Sequence, residues 1–165
     1  MKTQRQYDLI APRYEGLFYE RQAAKIERLR RELPPKLETP CLDLGAGTGL
    51  VSKVLGHPCI ALDVSAGMLA QASGWRVCAS MAALPFADET FPLVVSVSAL
   101  TTDQDAERML SESIRVLTSG GRLGLSVLTT EDIGGIERYL TGHRLIVRYT
   151  KASNGPDMIL VAHKA

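Results

Sequence analysis

The sequence has no charge excess, no bilayer-length apolar run and too few cysteines to cross-link a fold. Its 19 Lys and Arg nearly balance 18 Asp and Glu, leaving a formal net charge of +1. No bulk positive field advertises nucleic acid or an anionic membrane surface. The apolar stretch at 93–100 is interrupted by Ser96 and Ser98. It falls far short of the roughly 20 residues that a spanning helix needs. The opening residues, Met1-Lys2-Thr3-Gln4-Arg5-Gln6, are polar and show no secretory signal. Cys41, Cys59 and Cys78 cannot all pair with one another and form no Cys-x-x-Cys motif. The expectation is buried, reduced thiols in a cytoplasmic protein with no metal site. His57, His143 and His163 are scattered and read as surface or packing residues.

What is present suits one globular domain. The chain has 165 residues, 45% of them hydrophobic and 22% charged, which excludes a disordered or low-complexity chain. Charge is uneven along it. Residues 1–36 carry nine basic against five acidic residues, and 80–112 carry six acidic against one basic. The N-terminal arm is therefore either a docking surface or a solvated helix face.

Phe18, Ala23, Ile26, Leu29 and Leu33 recur at helical spacing, which predicts a helix over 15–33 that Pro34-Pro35 ends. Strands are expected at 40–44, 59–64, 76–79, 91–97 and 122–128, with short helices at 50–55, 65–72 and 133–140 between some of them. Thr102 is expected to open a further helix with Asp105 in a capping box, and Gly120-Gly121 to close it in a left-handed turn. Strands at 144–150 and 158–163, joined by the turn-rich segment 151–157, form a terminal hairpin. Alternating strands and helices predict an α/β fold, Rossmann-like and doubly wound. Its sheet is seven-stranded and mostly parallel, antiparallel only in the C-terminal hairpin. Residues 1–36 read as a helical extension over the active site and 37–165 as the core.

In such sheets a ligand lies beyond the carboxyl ends of the strands, where the strand order reverses. The first strand ends in Asp43-Leu44-Gly45-Ala46-Gly47-Thr48-Gly49. Glycines there let backbone approach a ligand, and the next helix presents free N–H groups. The pattern is Gly-x-Gly-x-Gly, with Leu50 where a dinucleotide fingerprint wants Gly or Ala. That weighs against a pyrophosphate cradle, and hence against a nicotinamide oxidoreductase. Asp63 lies twenty residues past Asp43, where a carboxylate can accept both hydroxyls of a ribose. The alternative for Asp63 is a turn or helix-capping residue, a role that Ser65 could fill instead.

Several ordered motifs then resemble the class I S-adenosylmethionine-dependent methyltransferases. They are Leu42-Asp-Leu-Gly-Ala-Gly-Thr-Gly49, Ala61-Leu-Asp-Val-Ser-Ala-Gly-Met-Leu69, Leu84-Pro-Phe86, Phe91-Pro-Leu-Val-Val95 and Arg115-Val-Leu-Thr-Ser-Gly-Gly-Arg122. Tyr7-Asp8-Leu-Ile-Ala-Pro-Arg-Tyr14 is similar to the N-terminal segment of the small-molecule and quinone-biosynthesis subgroup. The resemblance implies S-adenosyl-L-methionine as cofactor. It implies that Asp43 and Gly45, Ala46, Gly47, Thr48 and Gly49 hold the methionyl part, and that Asp63 binds ribose. Val64 and Met68 would flank adenine, Ser80 and Met81 would meet its edge, and Ser96 would lie beneath the sulfonium. Tyr14, with Tyr7, would close over the cofactor. Arg13 would pair with the cofactor carboxylate or stand as an exposed cation. Two positions depart from the family pattern. Ser80 stands where an acidic residue is usual, which implies weaker cofactor binding. Pro92 follows Phe91 where the family favours Asp, a structural difference that suits the start of a strand.

Methyl transfer is an in-line displacement in which alignment alone contributes about 7–11 kcal/mol, so no dedicated base is required. Tyr7, Tyr14, Tyr19, Thr101 and Asp103 are the groups near the expected methyl position, and none is singled out as catalytic. The implied acceptor is a small molecule or quinone, of unassigned atom type. RNA or protein methylation with a partner subunit, or a non-catalytic cofactor-binding regulator, are the alternatives. Only Thr129-Thr-Glu-Asp132 joins the fifth strand to the next helix, where relatives carry a covering insertion. An open site follows, to be covered by a large substrate, a partner subunit or a second copy of the chain.

Overall fold

A computed structural model describes residues 4–101, 105–151 and 157–165, without the side chains of Tyr149 and Lys151. Its elements are α1 (Gln4–Glu32), β1 (Cys41–Leu44), α2 (Leu50–Leu55), β2 (Cys59–Asp63), α3 (Ala66–Leu69) and β3 (Arg76–Cys78). They continue with β4 (Phe91–Val97), α4 (Ala106–Val116), β5 (Leu117–Leu128), α5 (Ile133–Gly142), β6 (Leu145–Lys151) and β7 (Asp157–Lys164). One seven-stranded sheet has the order β3-β2-β1-β4-β5-β7-β6. Strands β1 to β5 pair in parallel, and β7 is antiparallel to both β5 and β6. The expected fold class is the observed one. The order reverses between β1 and β4, which puts the ligand crevice above those two strands.

Apolar residues cover both faces of the central strands, so these read as continuous apolar runs rather than alternations. Leu42, Leu44 and Val94 face the larger core cluster with Leu110 and Ile136. Cys41, Leu93 and Val95 face the other, with Ile26 and Leu29 of α1, Leu33 just beyond it, and Leu50 and Val51 of α2. Cys41 and Cys59 are buried opposite each other in the β1–β2 register, with their sulfurs in contact. The neighbouring thiol and burial push the Cys41 pKa upward. Cys78 is exposed, contrary to the expectation that all three thiols are buried, because β3 is the sheet edge.

Two boundaries differ from the sequence reading for identifiable reasons. Helix α1 starts at Gln4, not at residue 15, and passes through Pro12. Its N-terminal half has no apolar stripe to betray it, since Leu9 is 75% and Leu17 63% exposed. Polar contacts hold that half instead. Gln4 Nε2 donates to the Val64 carbonyl at 2.8 Å, and Asp8 accepts from the Gly67 N–H at 3.0 Å. The second difference is that α4 stops at Val116, and Gly120-Gly121 does not close it. Val116 and Leu117 are fully buried, and Leu117 is already extended. Phe91 pairs with Leu117 but Leu93 with Arg122, so the residues between Leu117 and Arg122 bulge from β5. Gly120, at φ +74°, serves that bulge. Asp105 stands at the α4 N-cap with no capping bond from its side chain. The Thr102 part of the expected capping box lies outside the described residues, as does most of the 151–157 turn. Among the described residues, no helix is long and apolar enough to cross a membrane.

Candidate functional site

The loop from β1 into α2 is wound tightly by its glycines. Gly45, Gly47 and Gly49 have φ of +68°, +54° and +77°, a region that L side chains rarely adopt. At Gly45 a Cβ would also overlap the methyl of Ala99, so both conformation and space require glycine. The Gly45 and Ala46 N–H groups donate to the Leu62 carbonyl at 2.8 and 3.0 Å, fastening the loop to β2.

Asp63, the last residue of β2, completes the arrangement. Its Oδ2 accepts from the Gly47 N–H at 2.9 Å and its Oδ1 from the Ser65 N–H at 2.9 Å. One carboxylate thus ties the glycine loop to the start of α3, and each oxygen keeps a lone pair for a further donor. Ser65 caps α3 as expected, its Oγ accepting from the Met68 N–H at 3.1 Å. The Ser65 hydroxyl donates in turn to Asp8 on α1.

Between the loop and α1 lies a shallow cleft open to solvent. Tyr14, Gln22 and Ile26 line it from α1, and Val97 from β4. Asp43, Gly45, Ala46, Gly47 and Thr48 line it from the loop, and Leu50 and Val51 from α2. Two polar atoms buried here, Asp43 Oδ2 and Thr48 Oγ1, have no hydrogen-bond partner among the described residues. Native folds rarely leave such groups orphaned without a functional reason. Burial first, and then the Asp63 charge, push the Asp43 carboxyl up to about 8. Burial first, and then Tyr7, raise the Tyr14 pKa, so Tyr14 keeps its proton at neutral pH.

The structure brings most of the expected site residues together. Tyr14, Asp43, Gly45, Ala46, Gly47 and Thr48 share the cleft, and Asp63 is bonded to its rim. A Cβ at Gly47 would lie 3.0 Å from the Met68 methyl, and one at Gly45 would lie 3.5 Å from the Met81 sulfur, so both methionines border the loop. Gly49 stands at the start of α2. Ser96 is buried and its hydroxyl donates to the Leu44 carbonyl at 3.0 Å, which holds β4 to the base of the loop. Val64 is 44% exposed and Ser80 is exposed, its hydroxyl accepting from the Ala82 N–H at 3.1 Å. Both lie on the α3–β3 side, away from the cleft lining. Arg13 is exposed and does not line the cleft, and Tyr19 is half exposed. Asp103 lies outside the described residues.

Sequence reasoning missed Gln22, Lys25 and Asp8. Tyr14, Phe18, Gln22 and Lys25-Ile26 recur at steps of three and four, so the apolar stripe of α1 already pointed to a polar residue on the same face. Asp8 carries no such signal, because its partners belong to another element.

Residues 42–125 match the family described as methyltransferase domain. A demethylmenaquinone methyltransferase from Corynebacterium urealyticum is 38% identical over 115 residues, which cover 66% of this chain and 50% of that protein. The chain therefore spans about half the length of that relative. A SAM-dependent methyltransferase from Aquifex aeolicus has the same fold, with a TM-score of 0.73 at 16% identity and complete coverage of both chains. So does the protein bound to the Trm112 methyltransferase activator in a complex from Haloferax volcanii. Its TM-score is 0.80 at 16% identity, covering 96% of this chain and 97% of that one.

Proposed function

The chain belongs to the methyltransferase-domain family, and from that premise we propose that it transfers a methyl group from S-adenosylmethionine to a small, quinone-like acceptor. The observation that carries this reading is the Asp63–Gly47 bond, which joins a glycine loop and a ribose-type carboxylate into one cradle. The residues present fit the cofactor. Asp43 offers an orphaned buried acceptor, Thr48 an orphaned hydroxyl, and Gly45 a position where any side chain would fill the cradle.

When bound, the cofactor supplies a methyl group already activated as a sulfonium. The protein's contribution is binding, orientation and exclusion of water. In this reading Asp43 and the loop from Gly45 to Gly49 hold the methionyl end. Asp63 accepts from the ribose hydroxyls, and Val64, Met68, Ser80 and Met81 surround the adenine. Ser96 supports the loop from beneath. Tyr14, kept as a hydroxyl by burial, donates into the cleft. Helix α1, from Gln4 to Glu32, is the cover, and residues 37–165 are the core beneath it.

The quinone-like acceptor follows from the similarity to the Corynebacterium protein and is a proposal for this chain. So is a covering partner, either another subunit or a second copy. Its support is that only 129–132 separate β5 from α5, together with the activator bound to the Haloferax protein. With free thiols and no membrane-crossing helix among the described residues, the proposed compartment is the cytoplasm. The test is incubation with radiolabelled S-adenosylmethionine and host lysate. Label is expected in the organic-soluble fraction. Label in protein or RNA would reassign the acceptor. Tight binding without turnover on any fraction would make the chain a cofactor-binding regulator.

A further inference from the structure

A chain of polar side chains runs from the interior to the cleft. Lys25, 7% exposed, places Nζ 2.9 Å from Asp157 Oδ2 at the start of β7, and Asp157 is 3% exposed. The same Nζ donates to Ser98 Oγ at 2.7 Å. Ser98 follows β4 directly, in the left-handed region at φ +58°, with its N–H on the Ser126 carbonyl at 2.9 Å. Its hydroxyl donates to Gln22 Oε1 at 3.4 Å, and Gln22 Nε2 donates to the Tyr14 hydroxyl oxygen at 3.5 Å.

The direction of this chain is fixed by its buried end. An ammonium can only donate, so the Ser98 oxygen accepts and its single proton must go onward. Gln22 therefore turns Oε1 toward Ser98 and Nε2 toward the cleft. The Tyr14 oxygen then accepts, which leaves the Tyr14 proton to donate elsewhere. The α1 wall of the cleft thus presents N–H and O–H donors. The opposite wall presents the orphaned Asp43 Oδ2 acceptor. Donors on one side and a carboxyl on the other complement a carboxylate and an ammonium on one carbon.

We propose that Gln22 binds the carboxylate of the ligand's amino-acid end, held in its donor orientation by the buried Lys25–Asp157 pair acting through Ser98. Gln22 is then a binding residue, and Lys25, Asp157 and Ser98 are positioning residues. Arg13, for which carboxylate pairing is one of two readings, is exposed and does not line the cleft. The inference rests on the cleft holding an S-adenosyl ligand.

The experiment is calorimetric titration of the full chain with two nucleosides. S-adenosylhomocysteine carries the amino-acid end, and 5′-methylthioadenosine lacks it. Gln22→Glu keeps the shape but sets a negative oxygen toward the carboxylate. It is expected to weaken S-adenosylhomocysteine about tenfold or more, as for a lost hydrogen bond to a charged group, and to leave 5′-methylthioadenosine within about twofold. Lys25→Met would strand the Asp157 charge and risk unfolding, so the positioning role is read in Lys25→Met with Asp157→Leu. That pair is expected to weaken only S-adenosylhomocysteine, about threefold to tenfold, and to add nothing in a Gln22→Ala background. Equal losses for both nucleosides, or no loss for S-adenosylhomocysteine in Gln22→Glu, would overturn the proposal while leaving the methyltransferase reading intact. A wild-type chain that binds neither nucleoside would remove both.

Discussion

Asp63 accepts the Gly47 N–H at 2.9 Å across sixteen residues of sequence. This bond fixes the spacing between the end of β2 and the turn after β1, two adjacent parallel strands paired from Cys41 and Cys59 onward. Because Asp63 also receives the Ser65 N–H, it is both a structural tie and an acceptor with spare lone pairs. The bonds to Gly47 and Ser65 show the turn-holding role, and the remaining lone pairs leave room beside it for the proposed ribose role.

Asp63→Ala is therefore expected to act twice. It should weaken nucleoside binding by about 1–3 kcal/mol, the scale of hydrogen bonds to a charged group. It should also lower the melting temperature, since the Gly47 and Ser65 N–H groups lose their partner. Calorimetry and thermal melting read the two effects separately. Asp63→Asn, which keeps one acceptor oxygen, should recover part of each.

Gly45→Ala is expected to cost more than ~3 kcal/mol, because left-handed strain adds to a steric overlap with Ala99. Gly56 makes the control. It also has positive φ, at +59°, but a Cβ there meets nothing within 4 Å. Gly56→Ala should cost only about 1 kcal/mol of backbone strain. Chemical denaturation of the two variants gives the comparison.

The buried Asp43 carboxyl sets a pH dependence with a definite sign. Its folded pKa is raised to about 8, above the ~3.9 of the unfolded chain. The native state thus binds more protons than the unfolded state between these values. The stabilisation is complete below pH ~4 and disappears as pH rises through about 8. Asp43→Asn should abolish this slope. Melting temperatures of wild type minus Asp43→Asn, followed from about pH 5 to pH 9, should fall up to about pH 8 and level off above it; a difference flat throughout would show that Asp43 is not protonated in the fold. A ligand ammonium facing Asp43 favours its charged form, so binding near neutral pH should release a proton, which calorimetry in buffers of different ionisation enthalpy detects.

Asp8 is the latch between α1 and α3. It accepts from the Ser65 hydroxyl and from the Gly67 N–H, and a Cβ at Gly67 would press on it. Asp8→Ala should cost about 1–2 kcal/mol. It should also speed amide exchange in residues 4–12 while leaving 22–32, anchored by Ile26 and Leu29, protected.

The sequence showed the fold and the loop well, because both rest on local signals. The apolar runs at 41–44 and 91–97 mark strands buried on two faces, and Gly45, Gly47 and Gly49 mark a turn of positive φ. It showed less wherever distant segments decide the outcome. The first eleven residues of α1 lack an apolar stripe, and contacts to Val64, Ser65 and Gly67, some sixty residues away, help to hold them. Gly120-Gly121 resembles a helix stop, yet burial of Val116 and Leu117 ends α4 earlier and gives the glycines to a bulge. Lys25 and Asp157 stand 132 positions apart, and nothing local to either announces an ion pair. Arg115 is a similar case. Its i,i+3 pairing with Glu112 is local to α4, but it also holds the Leu84 and Phe86 carbonyls, contacts that no short-range pattern encodes.

The most direct measurement is a crystal structure of the chain grown with S-adenosylhomocysteine. The ribose hydroxyls are expected within about 3 Å of the Asp63 carboxylate, with the amino-acid end in the cleft between Asp43 and Gln22. A cleft left empty at saturating nucleoside, or a nucleoside bound with its ribose away from Asp63, would contradict the assignment.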